Sequence, residues 1–98
     1  MSANAIVSDV RFSLGRVVAT PGALEALEES GDDARSFLKR HQQGDWGDLC
    51  EEDKQENEFS LDKRLRLFSA YHTSHKVKLW IITEADRSVT TILLPSEY

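Results

Sequence analysis

The last third of the chain alternates between apolar and polar residues, and this constrains the fold more than any other feature. The alternation covers residues 64–71, 76–83 and 89–94. A period of two is typical of β-strands, whose side chains point to opposite faces in turn. The connections at 73–75 and 85–87 are too short for a crossover helix, so neighbouring strands must be antiparallel. The sequence therefore predicts a three-stranded antiparallel meander.

The first half of the chain predicts one strand and at least two helices. Branched and aromatic residues over 10–19 favour a strand, in which Gly15 marks a bulge. Thr20 followed by Pro21 is a typical helix start, and we expect this helix to reach about Ser30. Gly31 is then its stop signal.

A second helix is predicted to follow, with Asp32 or Asp33 as its N-cap. Its apolar stripe is expected at spacings i, i+3, i+4 and i+7, formed by Ala34, Phe37, Leu38 and His41. Gly44 is the expected stop, and Trp46 anchors the tight connection after it. Residues 50–59 are polar and weakly periodic, which fits a weak helix or an ordered loop.

These elements predict an α+β domain with a four-stranded, mainly antiparallel sheet and helices packed on one face, in the order β-α-α-(α)-β-β-β. A chain of 98 residues suits one domain, and we expect residues 10–98 to form it after a flexible N-terminal arm, 1–9. No long apolar run or signal peptide is evident, so we expect a cytoplasmic protein. The single cysteine, Cys50, excludes an internal disulfide.

Charge is unevenly distributed along the chain. Residues 21–62 hold 13 of the 17 acidic side chains and 4 of the 12 basic ones, a net charge of −9, and the remainder has +4. The acidic middle fits either solvated helix faces or a surface that mimics the charge of a nucleic-acid backbone. The second interpretation would make the partner a DNA-binding protein.

The meander is expected to have one core face and one basic, aromatic face. A turn centred on Ser74 pairs Phe68 with Trp80, Ala70 with Lys78, and Arg64 with Glu84. The core face should then hold Leu65, Leu67, Tyr71, Val77, Leu79 and Ile81, contacted by Leu24, Phe37 and Leu38. The opposite face should hold Arg64, Arg66, Phe68, Lys76, Lys78 and Trp80, with Ile82 and Ile92. Cations interleaved with aromatic rings are what a single-stranded nucleic-acid platform needs, although the same face could serve self-association.

Histidines are the main candidates for chemistry. His41, near Arg40, Asp45 and Trp46, could act as an acid–base group of a small nuclease, or it could be a hydrogen-bonded core residue. His72 and His75 lie on a turn and lack a nearby third ligand, so we expect no metal site. No phosphate-binding glycine loop, nucleophile elbow or other catalytic motif is evident, and we expect neither a cofactor nor enzymatic activity.

Two polar segments are the candidate partner-binding residues. The loop 83–88 combines acids, a base and hydroxyls at one end of the sheet, with Arg87 as its best recognition candidate. The partner-binding set consists of Asp45, Trp46, Glu84, Asp86 and Arg87.

Two motifs carry a resemblance to a known family. The first motif is Arg40-His41 followed by Gly44-Asp45-Trp46-Gly47, and the second is 82–88 followed by 90–95 and Glu97-Tyr98. Both resemble small uncharacterised bacterial proteins encoded on plasmids and other mobile elements. The resemblance covers about residues 14–98 and implies a setting, restriction-associated or plasmid-related, without implying site residues. We therefore expect a non-catalytic interaction protein that modulates or inhibits a host defence or DNA-processing complex. Single-stranded nucleic-acid binding is the alternative, a His41-dependent nuclease the third hypothesis, and a homodimer remains open.

Overall fold

The computed structural model describes residues 10–98, and the expected N-terminal arm, 1–9, lies outside the described residues. Its elements are β1 (Arg16–Ala19), α1 (Pro21–Ser30), α2 (Ala34–Gln42), α3 (Glu51–Lys63), β2 (Leu67–His72), β3 (Lys78–Thr83), β4 (Val89–Leu93) and a 3₁₀ turn, Pro95–Glu97. The four strands form one sheet in the order β1-β4-β3-β2. The predicted α+β class is confirmed, with the difference that the sheet is mixed, because β1 runs parallel to β4.

Local signals set the ends of the first two helices. Thr20 caps α1 by accepting a hydrogen bond from the backbone N–H of Ala23, and Gly31 ends the helix in the left-handed conformation. Asp33 caps α2 through the N–H of Arg35. The predicted bounds of α1 and the predicted cap of α2 are confirmed.

The polar segment after Cys50 is a full helix, α3. Three acids in its first turn interact favourably with the helix dipole, but its buried residues are Asn57 and Ser60 rather than an apolar stripe. The Asn57 side chain donates to the carbonyl oxygen of Phe68 and accepts from its N–H, at 2.6 and 3.1 Å. The helix therefore packs by completing the hydrogen bonds of the β2 edge, which hydrophobic periodicity does not detect.

The first strand is shorter than the expected 10–19. Strand pairing with β4 begins only at Arg16, and further upstream the Arg11 N–H donates to the carbonyl of Gln42 in α2. Gly15 has φ +64°, and a Cβ there would overlap the carbonyl oxygens of Arg87 and Ser88. Gly15 thus permits a close backbone approach rather than forming a bulge.

The sheet faces are largely as expected. Leu79 and Ile81 lie in the core with Phe37, Tyr71 and flanking residues, and Trp80 lies on the other side. Three expectations are wrong: Leu24 is 57% exposed on α1, Leu65 is exposed before β2, and Ile92 belongs to the core. Ile92 pairs with Ile81 because Arg87, at φ 62°, adds a left-handed residue to the β3–β4 loop and reverses the expected alternation of β4.

The register of the β2–β3 hairpin differs from the expected one by two residues. Phe68 pairs with Ile82, Ala70 with Trp80 and His72 with Lys78. The loop closes between Thr73 and Val77 and is centred on His75, with Lys76 at φ 66°. A left-handed lysine gives no sequence signal comparable to glycine, so the extra residue was missed. An even shift leaves every side chain of the strand on its predicted face.

Candidate functional site

The sheet face turned away from the helices, the outer face, carries an apolar groove. Its volume is about 290 Å³, and it is lined by Arg66, Phe68, Trp80, Ile82 and Tyr98. A second groove of about 250 Å³ shares Arg66, Ile82 and Tyr98 and continues towards β4 and the C-terminal turn through Thr91, Leu93 and Glu97. The two grooves form one continuous concavity across β2, β3 and β4.

Three aromatic rings define the floor and one wall of the groove. Trp80 meets Phe68 edge to face, with centroids 5.0 Å apart and planes at 90°, and meets Tyr98 at 5.8 Å and 71°. Tyr98 is 73% exposed and stands at the end of the chain. Such steep angles are favourable for ring pairs, and here they leave a walled groove rather than a flat row of parallel rings.

A hydrogen-bonded ion pair fixes the other wall. The Arg66 guanidinium donates to the Tyr98 hydroxyl at 3.1 Å and to Glu84 Oε1 at 3.3 Å, and both groups raise the pKa of Arg66. Both side chains of the ion pair are about half exposed, so the pair orients the wall and adds little to stability.

The remaining cations of the outer face are Arg16 and Lys78. Arg16 shares the face of Thr91 through the β1–β4 register, and Lys78 shares that of Trp80. Neither forms an ion pair within residues 10–98. Two other expected cations of this face, Arg64 and Lys76, lie outside the strands at positive φ. The basic, aromatic face therefore retains Arg66, Phe68, Lys78 and Trp80 of the predicted set.

On the inner face, His41 lies at the centre of a buried chain of hydroxyl groups. Its side chain is 0% exposed, with Nδ1 2.5 Å from Ser69 Oγ and Nε2 2.9 Å from Thr83 Oγ1. The Thr83 hydroxyl lies 2.7 Å from that of Thr90, which donates to the carbonyl oxygen of Leu14 at 2.7 Å. This series of hydrogen bonds links α2, β2, β3, β4 and the segment before β1.

The direction of these hydrogen bonds fixes the tautomer of His41. A carbonyl can only accept, so Thr90 uses its proton on Leu14 and must accept from Thr83. Thr83 in turn accepts from Nε2–H, which leaves Nδ1 to accept from Ser69. Burial, assisted by the positive charge of Arg87, lowers the pKa of His41 to about 3, so the ring is neutral at pH 7.

The two expected partner-binding residues after α2 hold the chain in place. Asp45 forms an ion pair with Arg40 at 2.7 Å and accepts from the N–H of Gly47. Trp46 is 3% exposed, and its ring N–H donates to Glu58 at 2.9 Å. The Trp46 ring also packs edge to face on the His41 ring. Trp46 therefore covers the buried hydrogen-bond network of His41 and does not face solvent.

The three expected residues of the β3–β4 loop point in different directions. Glu84 belongs to the outer-face ion pair, whereas Asp86 accepts from the N–H and the hydroxyl of Ser88. Arg87 donates to the carbonyl oxygens of Leu65, Glu84, Ala85 and Ser60, the last at the end of α3. The structure therefore does not bring the five members of the predicted set together as one site.

His72 ends β2 on the outer face, opposite Lys78, and His75 lies in the exposed β2–β3 loop. His72 Nδ1 lies 2.6 Å from Asp48 Oδ2, at the surface. Within residues 10–98, no group of three or more potential ligand side chains is arranged to hold a metal ion. In the same part of the chain, none of the helices has the length and apolar character needed to cross a membrane.

Comparison of the chain with models of protein families, with curated proteins and with solved structures finds no match.

The sequence missed the residues that close the groove. Tyr98 reaches Trp80 and Arg66 only because the chain turns at Pro95 and Glu97 binds the start of α1, accepting from the N–H of Gly22. Thr91 and Leu93 were missed because the alternation of β4 was assigned the wrong phase. The sequence feature that correctly identified this face was the pair of aromatic residues on β2 and β3, Phe68 and Trp80.

Proposed function

We propose that this chain is a small non-catalytic protein-binding module whose docking surface is the outer face. The observation that carries the proposal is the continuous groove around Trp80, an apolar concavity walled by an ordered ion pair. Exposed aromatic side chains next to an arginine are the composition typical of the energetic centre of protein interfaces.

The chemistry of the partner follows from the charges of this face. Arg16 and Lys78 are the basic groups of the outer face that have no ion-pair partner within residues 10–98. The carboxylate that lines the second groove, Glu97, has no ion-pair partner there either, but it accepts from the N–H groups of Gly22 and Leu94. A segment that inserts apolar side chains beside Trp80 and places carboxylates near Lys78 would complement both features. A second copy of this chain docking through the same face would instead bring like charges together.

The resemblance to plasmid and mobile-element proteins suggests where the partner belongs. On that basis we propose a component of a host defence or DNA-processing complex, which the chain would modulate or inhibit by occupying a surface. The geometry of His41 supports a non-catalytic role, because a sealed imidazole with a pKa of about 3 cannot exchange protons with a substrate near pH 7.

Single-stranded nucleic acid remains the second candidate, favoured by the unpaired Lys78 beside Trp80. Two features count against it. The rings meet at steep angles, so they form no row of parallel faces on which successive bases could stack. The Arg66 guanidinium already pairs with Glu84 and is therefore not free to bind a phosphate. A titration of Trp80 fluorescence with oligonucleotides at two salt concentrations tests this candidate, and saturable quenching that weakens with salt would support it.

Matched variants test the docking surface. Tyr98→Ala and Phe59→Ala each remove an exposed aromatic ring, the first from the groove and the second from α3. In affinity capture from native cells, we expect one protein, retained at stoichiometric yield after nuclease treatment, to be lost with Tyr98→Ala and kept with Phe59→Ala. Loss with Phe59→Ala alone would move the interface to the helices, and capture that requires nucleic acid would contradict the proposal.

A further inference from the structure

A second cleft, separate from the outer face, lies between the segment before β1, the end of α3 and the β3–β4 loop. Its volume is about 400 Å³, and its lining is mostly polar: Arg11, Phe12, Ser13, Leu61, Arg64, Asp86 and Arg87. Three of these seven residues are arginines. The proposed docking surface uses none of them.

The positive charge of this cleft is only partly neutralised. Arg11 is paired with Glu58 through two hydrogen bonds of 2.8 and 3.1 Å. Arg87 has carbonyl oxygens as its partners, and Arg64 has no ion pair within the described part of the chain. Burial and the nearby Arg64 lower the pKa of Arg87, as expected when two positive charges face each other.

The one carboxylate in the lining, Asp86, offsets one of the two positive charges of Arg64 and Arg87, so the cleft keeps a net positive charge. Asp86 is held by Ser88, whose hydroxyl lies 2.6 Å from Oδ1. Ser13, in contrast, accepts a hydrogen bond from the N–H of Gly15, which leaves its own proton available as a donor. The cleft therefore presents two arginines and a hydroxyl donor to any group that enters it.

The backbone of both arginines is in the left-handed region, with φ 57° at Arg64 and 62° at Arg87. This conformation costs free energy for any residue with a Cβ. At Arg87 the four carbonyl contacts of the side chain offset this cost, and Arg64 is the left-handed C-cap of α3, where its N–H donates to the carbonyl oxygen of Ser60. Both arginines therefore project from hydrogen-bonded backbone positions.

We propose that this cleft binds the phosphate group of a small phosphorylated ligand. Arg64 supplies the unpaired charge, the half-buried Arg87 fixes the position of the anion, and Ser13 donates a hydrogen bond to it. Arginine is suited to this chemistry because its planar fork matches phosphate oxygens. A cleft of about 400 Å³ has room for a ligand larger than the phosphate itself.

The test uses two matched glycine variants and inorganic pyrophosphate as the probe. Arg64→Gly and Lys76→Gly each remove one positive charge and one left-handed residue with a side chain, but Lys76 lies in the β2–β3 loop, outside the cleft. Because glycine accepts this conformation, we expect both variants to remain folded and to melt at a higher temperature than the native chain.

Binding separates the two variants. In calorimetric or NMR titrations up to about 10 mM pyrophosphate, we expect saturable binding by the native chain and by Lys76→Gly. Arg64→Gly should bind about tenfold more weakly, the loss expected for one charge-assisted hydrogen bond. Absence of saturable binding, or equal affinity of the two variants, would overturn the proposal.

A short single-stranded oligonucleotide with and without a 5′-phosphate distinguishes the sources of the phosphate. Binding that requires the terminal phosphate supports a small phosphomonoester ligand. Equal binding of both oligonucleotides would mean that a phosphodiester backbone is the ligand, which contradicts the small-ligand proposal.

Discussion

The two faces of the sheet differ in how accessible their polar and aromatic side chains are to solvent. On the inner face, His41 and its chain of hydroxyls are sealed, and within residues 10–98 no buried side-chain nitrogen or oxygen lacks a hydrogen-bond partner. On the outer face, Trp80 and Tyr98 line an open groove, and Lys78 has no ion-pair partner in the described chain.

This difference separates stability from binding. The residue with the most versatile chemistry, His41, is unavailable to a ligand because its side chain is fully buried and both ring nitrogens are hydrogen-bonded. The outer face has accessible apolar surface, with the exposed His72, held by Asp48, at the end of β2. A change on the inner face should therefore alter folding, and a change on the outer face should alter recognition.

The largest expected effect is a loss of stability in mild acid. In the unfolded chain His41 takes up a proton near pH 6.5, whereas the folded chain resists protonation down to about pH 3. The unfolded state therefore binds more protons between these values, so the contribution of neutral His41 is complete above pH 6.5 and is lost as the pH falls. We expect the free energy of unfolding, measured in urea, to fall by about 3 kcal/mol between pH 7 and pH 4.

Above pH 5, the change in stability caused by His41 can be measured separately from the contribution of the carboxylates. Hydrogen bonds from Arg40 and Arg11 lower the pKa values of Asp45 and Glu58. Their contribution is present above pH 4 to 4.5 and is lost only below it. A free energy of unfolding that stays constant from pH 6.5 to pH 5 would contradict a sealed, neutral His41.

Replacement of the imidazole at constant pH is expected to have a smaller effect. His41→Gln cannot place a donor and an acceptor at both Thr83 and Ser69, so one buried hydroxyl loses its partner. We expect a loss of about 2 kcal/mol at pH 7 and a flatter dependence on pH, both measured by urea unfolding. His75→Gln, at an exposed turn position, is the control and should change stability by less than about 0.5 kcal/mol.

The smallest expected effect on stability comes from the outer face. Trp80→Thr removes ring contacts with Phe68 and Tyr98 but keeps a residue suited to a strand. Because Trp80 is only half-buried, we expect a loss of about 1 kcal/mol in the same unfolding assay. A loss of 3 kcal/mol or more would mean that this ring belongs to the core rather than to a binding surface.

The parts of the fold that local chemistry determines could be predicted, and those that depend on tertiary contacts could not. Thr20 and Asp33 act within one helical turn, so their caps were evident from the sequence. Helix α3 was only weakly indicated because Asn57 packs through a hydrogen-bond pair with Phe68. The register was missed because left-handed Lys76 lacks the glycine that normally marks such a loop.

In the candidate site too, the residues placed by local pattern could be predicted, whereas those placed by tertiary contacts could not. Period-two alternation placed Trp80, Phe68 and Lys78 together, since a strand fixes which residues share a face. It could not reveal Tyr98 as a wall of the groove, because that contact depends on the C-terminal turn. Nor could it show that Arg87 binds backbone carbonyls, since those oxygens are brought together by α3 and the loop.

The affinity of the captured partner for two variants tests the central claim most directly. Both His41→Gln and Trp80→Thr should be measured at pH 7, under conditions where each is folded, against the native chain. We expect Trp80→Thr to bind at least about tenfold more weakly and His41→Gln to bind with unchanged affinity. The opposite result, in which His41→Gln loses binding while Trp80→Thr keeps it, would contradict the division of the sheet into a structural inner face and a binding outer face.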